Sequence, residues 1–147
     1  MTQNLCDFIA NKRSTQYATG AGTNMHERLR KIVINADGMH GDAELIQHII
    51  KNPTLREYFG PDAKTEVPVA GTINGKFISR RIDRMILDHI NHHIKIMDYK
   101  TDIDCISRKA LYKHQLNEYC DLMRKIYPDF TVTAAILWTH NWTLERI

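Results

Sequence analysis

The stretch Phe77-Ile78-Ser79-Arg80-Arg81-Ile82-Asp83-Arg84-Met85-Ile86-Leu87-Asp88 reads as one long β-strand. Ile94-Lys95-Ile96-Met97-Asp98-Tyr99-Lys100-Thr101 reads as the next. Both are rich in β-branched and large apolar residues. Only Asn91, His92 and His93 and a few neighbours connect them, so the two strands are expected to pair as a hairpin. Alternation then puts Ile94, Ile96, Asp98 and Lys100 on one face of the second strand. Hairpin pairing brings Asp83 close to Asp98.

Working back towards the N-terminus, Asn74-Gly75 is a strong turn signal. It joins the long strand to a shorter one over Lys64 to Val69. Gly71 to Phe77 superficially resembles a phosphate loop but is one residue short and lacks the final Ser or Thr after Lys76. A hairpin explains it better. The first part of the chain reads as helical. Thr23 and Asn24 are plausible caps, and His26, Leu29, Val33 and Ala36 form a stripe that ends at Asp37-Gly38. A second helix is expected from about Asp42 to Lys51, before Pro53, and a helical turn over Leu55 to Phe59.

Working forward, a long helix is expected from about Ser107 to Ile126. Leu111, Gln115, Tyr119, Leu122 and Ile126 form its stripe. Phe130 to Thr139 is a β-branched, apolar strand, and Thr143 to Ile147 an edge strand. The expectation is an α/β fold: one domain over 1–147, helical over 1–60, with a catalytic sheet and helix over 64–147. A mixed central sheet would be flanked by helices.

The 147 residues suit one core, and the 43% apolar content suits a folded chain. No apolar run reaches the roughly 18 residues of a membrane span. Met1 to Lys12 lacks the pattern of a secretory signal. Cys6, Cys105 and Cys120 include no Cys-x-x-Cys pair and suit reduced thiols in the cytoplasm. The net charge of +3 permits a nucleic-acid partner without demanding one. Basic residues cluster beside both acidic segments: Lys76, Arg80, Arg81 and Arg84 at the first, Arg108, Lys109 and Lys113 at the second. Solvated surface faces are the plainer explanation of such clusters.

An acid on one strand and acid-x-lysine on the next is a pattern suited to metal-dependent phosphodiester cleavage. Paired carboxylates repel unless a cation lies between them. Hard oxygen donors favour Mg²⁺ or Mn²⁺. A lysine offsets charge at the phosphate. Each piece also has a structural explanation. Asp98 and Lys100 could form a rim ion pair, Asp83 could pair with Arg81 or Arg84, and Gln115 and Tyr119 could belong to the core. The i, i+4 pair Gln115 and Tyr119 could equally bind a phosphate or orient water.

In order along the chain, the segments Gly22-Thr23-x-x-His26-Glu27-x-Leu29, Lys64-Thr65-Glu66-Val67-Pro68, Arg81-Ile82-Asp83-Arg84-Met85, Ile96-Met97-Asp98-Tyr99-Lys100-Thr101 and His114-Gln115-Leu116-x-x-Tyr119 resemble the RecB-like nuclease domain of the PD-(D/E)XK superfamily. The resemblance is closest to the C-terminal nuclease domain of AddA-type helicase–nucleases. Tyr127-Pro128 and Ala134-Ala135-Ile136-Leu137-Trp138-Thr139 resemble its closing strand.

The resemblance implies a restriction-endonuclease-like core and a Mg²⁺- or Mn²⁺-dependent deoxyribonuclease, an exonuclease by preference, serving DNA repair or recombination. His26, Asp83, Asp98 and the Tyr99 main-chain carbonyl would hold the metal. Asp83, Asp98, Lys100, Gln115 and Tyr119 would be catalytic, with Glu66 behind them. Arg80, Arg81, Arg84, Lys109 and Lys113 would contact DNA. Arg80 departs from the pattern, which has glycine there. No four-cysteine set for an iron–sulfur cluster is present, and no helicase motif, so a helicase subunit or domain is a candidate partner. The alternative is a nuclease-like DNA-binding or assembly module with little intrinsic activity.

Overall fold

The β-branched run Ile32-Val33-Ile34 disfavours helix and favours extended chain, and it sets the first departure from the sequence reading. A computed structural model describes residues 20–147. The readings that fall on Met1 to Lys12 and on Cys6 lie outside those residues. Helix α1 spans Gly20–Arg30, so Thr23 and Asn24 lie inside it rather than capping it. It stops at Arg30, not Ala36. Strands β1 (Val33–Asn35) and β2 (Gly38–His40) follow as a small antiparallel hairpin. The Asn35 side chain makes that turn, accepting from the Asp37 and Gly38 amides at 3.0 Å each. Local side-chain bonding of this kind competes with helix.

Helix α2 spans Ala43–Ile49 and is capped by Asp42, whose carboxylate accepts from the Leu45 amide. Helix α3 spans Pro53–Glu57. Its cap Asn52 accepts from the Thr54 and Leu55 amides, and Pro53 starts the helix, where its missing N–H costs nothing.

The main sheet has five strands in the order β3-β4-β5-β6-β7. They are β3 (Ala63–Ile73), β4 (Lys76–Asp88), β5 (His93–Lys100), β6 (Thr131–Trp138) and β7 (Thr143–Arg146). Asn74 and Gly75 both take positive φ, 49° and 76°, in the β3–β4 turn. β3 is an edge strand, which is why Pro68 is tolerated within it. His93 begins β5 rather than belonging to the connection, and donates or accepts at Thr133 across the sheet.

β5 and β6 run parallel. Parallel neighbours need a crossover, and helix α4 (Cys105–Ile126) supplies it, with Asp104 capping its start. The molecule is therefore α/β, with a mixed five-stranded sheet flanked by helices. Among the described residues no helix is long and apolar enough to cross a membrane.

Alternation along β5 divides the core between the two faces of the sheet. Ile94 and Ile96 pack with Ile82, Met85, Leu116, Tyr119 and Met123 beneath α4. Met97 and Tyr99 pack with Leu29, Ile32, Ile49, Leu55 and Phe59 on the side of α1 to α3. Each buried isoleucine or leucine contributes about 1.5–3 kcal/mol. On α4 the expected stripe is only partly the buried one. Leu111 and Ile126 are 64% and 53% exposed, whereas Tyr119 and Leu122 are buried. Leu111 lies off the buried face of the helix, and Ile126 is its last residue. The buried face instead includes Leu116, Tyr119, Cys120 and Met123.

Candidate active site

The site forms where β4 loses its regular alternation. Ile82 and Met85 both face α4 although they are three residues apart, while Arg84 turns to the opposite side. Opposite Asp83, the β3–β4 ladder skips one pair, between Thr65↔Arg84 and Val67↔Ile82. The residue there on β3 is Glu66, with φ of 53°. A non-glycine residue in that region is uncommon. The β4–β5 ladder also ends at this level, at Arg84↔Met97, while β5 continues beside β6 as far as Lys100. Where the β4–β5 ladder stops, Asp83 Oδ2 accepts from the Tyr99 amide at 2.8 Å.

Helix α1 brings His26 to the same place. Its Nε2 donates to the Tyr99 carbonyl at 3.1 Å, and its Nδ1 lies 3.6 Å from Asp83 Oδ1. Burial works against the imidazolium. The hydrogen bond and charge of Asp83, with the charge of Asp98, outweigh it and raise the His26 pKa.

Asp98 continues the apolar face of β5 and is 3% exposed. Burial raises its pKa to about 6; Lys100 pulls it down and Asp83 pushes it up. Lys100 Nζ lies 2.5 Å from Asp98 Oδ2, yet that buried oxygen receives no well-directed hydrogen bond. A buried carboxylate oxygen without a directed donor is costly. Burial acts to lower the pKa of Lys100, but the Asp98 carboxylate beside it raises it, and the net shift is upward.

A polar chain leads from Lys100 along α4. Lys100 donates to Gln115 Oε1 at 3.3 Å, Gln115 donates to the Tyr119 hydroxyl at 2.7 Å, and Tyr119 donates to the Arg81 carbonyl at 3.2 Å. Tyr112 is a member that the sequence reading missed. Its ring lies 4.3 Å from the Lys100 ammonium, and its hydroxyl donates to Asp102. The signal was present, because Tyr112, Gln115 and Tyr119 are spaced i, i+3, i+7 on one helix face.

His26, Asp83, Asp98, Tyr99, Lys100, Gln115 and Tyr119 thus gather around the C-terminal end of β5, the usual place for ligands beside parallel strands. Four oxygen and nitrogen donors of the type a hard divalent cation takes are among them. Among the described residues, however, no three His, Cys, Asp or Glu side chains stand in a metal-holding group. His26 spends its Nε2 on the Tyr99 carbonyl. The donor set and the undirected Asp98 oxygen fit a cation; their present spacing requires closing in.

The basic residues expected to meet DNA divide. Arg84 is corrected outright: it is 1% exposed, and its guanidinium is bonded inside the molecule. The sheet's change of face turns it inward. Arg80 pairs with Glu118 at 3.2 Å, Arg81 with Glu66 at 3.5 Å, and Lys109 and Lys113 with Glu145 at 2.6 and 3.7 Å, all partly exposed. Glu66 therefore reaches outward to Arg81. No protein-family model matches this chain, and no curated protein sequence matches it.

Proposed function

We propose that this chain is a metal-dependent deoxyribonuclease with a restriction-endonuclease-like core, resembling the RecB-like domain of the PD-(D/E)XK superfamily and acting on DNA in repair or recombination. The observation that carries the reading is the buried Asp98–Lys100 pair beside Asp83 and His26, at the point where β4 releases β5. A surface ion pair needs no such burial, and burying it without a ligand is costly. The mixed sheet is compatible with the proposed core.

Hydrolysis forms a P–O bond from water, breaks the P–O bond to the leaving sugar oxygen, and places a proton on that oxygen. Asp83, Asp98, His26 and the Tyr99 carbonyl would hold Mg²⁺ or Mn²⁺. The chemistry supplied by that ion is activation of water and charge neutralisation at the phosphate. Lys100 would bind a non-bridging phosphate oxygen, its ammonium oriented by Gln115 and Tyr112. Tyr119 holds Gln115 in place and is itself anchored to the Arg81 carbonyl.

Linear and circular DNA, incubated with and without Mg²⁺ or Mn²⁺, test this. The parent should cut only with the ion, and Asp98→Ala and Lys100→Ala should each lose about 10²–10³-fold or more. Asp98→Ala cutting like the parent would sink the mechanism. One observation favours a second reading, a nuclease-like DNA-binding or assembly module: the absence of a preformed three-side-chain metal group among the described residues. That reading expects salt-sensitive DNA binding with no ion-dependent product.

A further inference from the structure

Among the described residues Arg84 is the one buried arginine, at 1% exposure, and it forms no ion pair with a carboxylate there. All three of its nitrogens nevertheless donate. Nε donates to the Tyr99 hydroxyl at 2.7 Å and Nη1 to the Tyr58 carbonyl at 3.2 Å. Nη2 donates to the Leu29 carbonyl at 2.8 Å, and to those of Arg30 and Ile32 at 3.3 Å each. The guanidinium also lies 4.2 Å from the centre of the Phe59 ring. Leu29 and Arg30 close α1, whose last carbonyls have no helical partner and carry the negative end of the helix dipole. A planar cation with five fixed donors suits that end far better than an ammonium.

These contacts have a specific geometry relative to the site. Arg84 follows Asp83 directly on β4. It grips the side chain of Tyr99 on β5, the residue whose amide binds Asp83 and whose carbonyl faces His26. It also grips the end of α1, the helix that carries His26. All four donors proposed for the ion, His26 on α1, Asp83 on β4 and Asp98 and Tyr99 on β5, thus sit on segments tied to one guanidinium.

We propose that Arg84 is a positioning residue for the ion site, clamping α1 to β5 so that His26, Asp83 and the Tyr99 carbonyl are held together at the end of β5, within reach of one ion. This rests on the nuclease reading above. It touches neither DNA nor reacting atoms. Outer contacts of this kind are worth about 10–100-fold in metal affinity when removed.

The test is direct Mn²⁺ binding by the full chain, read from free-Mn²⁺ electron paramagnetic resonance, together with cleavage kinetics. Arg84→Lys keeps the charge and loses the fork. It should weaken Mn²⁺ binding at least about tenfold and raise the Mn²⁺ needed for half-maximal cleavage in parallel, with KM for DNA within about twofold of the parent. Tyr99→Phe keeps the carbonyl and removes only the Nε acceptor; it covers the case in which Arg84→Lys fails to fold, and should weaken Mn²⁺ binding about tenfold. A parent that binds and cuts while both folded variants match its Mn²⁺ affinity overturns the role of Arg84 alone. A parent with no Asp98-dependent Mn²⁺ binding overturns it together with the nuclease reading.

Discussion

Asp98 is buried, and its titration should be visible in stability. Its pKa in the folded chain is about 6, against about 3.9 when unfolded. The folded state therefore holds that proton more tightly. The contribution of the neutral form is complete below the unfolded value and is lost as pH rises through about 6. His26, also raised, acts with the same sign in the adjoining window. Lys100 titrates far above both. Melting temperature followed from pH 4 to 7.5 should thus fall for the parent relative to Asp98→Asn, which lacks the carboxylate. A temperature difference that stays constant across this range would show that Asp98 is not held against ionisation. The paired acids were legible as a pattern in the sequence. The burial that separates this arrangement from a rim ion pair was not, because it depends on α4 lying across β5.

At the scale of the element, the site depends on two irregularities. One is the break in alternation at Glu66 and Asp83. The other is the tight turn before α2 that supports Ile32. Gly41 has φ of +115°, and a Cβ there would lie 2.9 Å from the Ile32 Cα and 3.1 Å from the Lys31 carbonyl. Backbone cannot yield as a side-chain tip can. Gly41→Ala should therefore destabilise the chain by about 2–3 kcal/mol, measured by urea denaturation. It should also disturb the Ile32 carbonyl that accepts from Arg84. A loss under about 0.5 kcal/mol, the range of ordinary surface changes, would contradict this. Glycine at 75 was readable from the Asn-Gly turn. Gly41 was not, since its constraint comes from the chain packed against it.

Across the whole molecule, the basic clusters are less free than their sequence suggests. Arg84 is internal, and Arg80, Arg81, Lys109 and Lys113 each face an acid. Four cations release few counterions, so the salt slope of log Kobs for DNA should be no steeper than about −4, and Arg81→Gln should reduce it by about one. Fluorescence anisotropy across a KCl series without divalent ions measures both. A slope nearer −8 would place the DNA path over other cations.

The sequence by itself determined the strands of the main sheet, the Asn74-Gly75 turn, the crossover helix and the order of the chemical residues. Those depend on local conformational preference and on the period of apolar residues, which a linear reading can follow. Tertiary structure alone decided two things. It turned Arg84 from an expected DNA contact into a buried partner of the α1 carbonyls and Tyr99, and drew His26 to Tyr99 and Asp83. Each depends on which face a side chain takes after β4 changes face, and on partners more than 50 residues distant in the chain, such as His26 and Tyr99 at a separation of 73. No local pattern encodes that pairing. It follows from burying two apolar faces of one sheet at once.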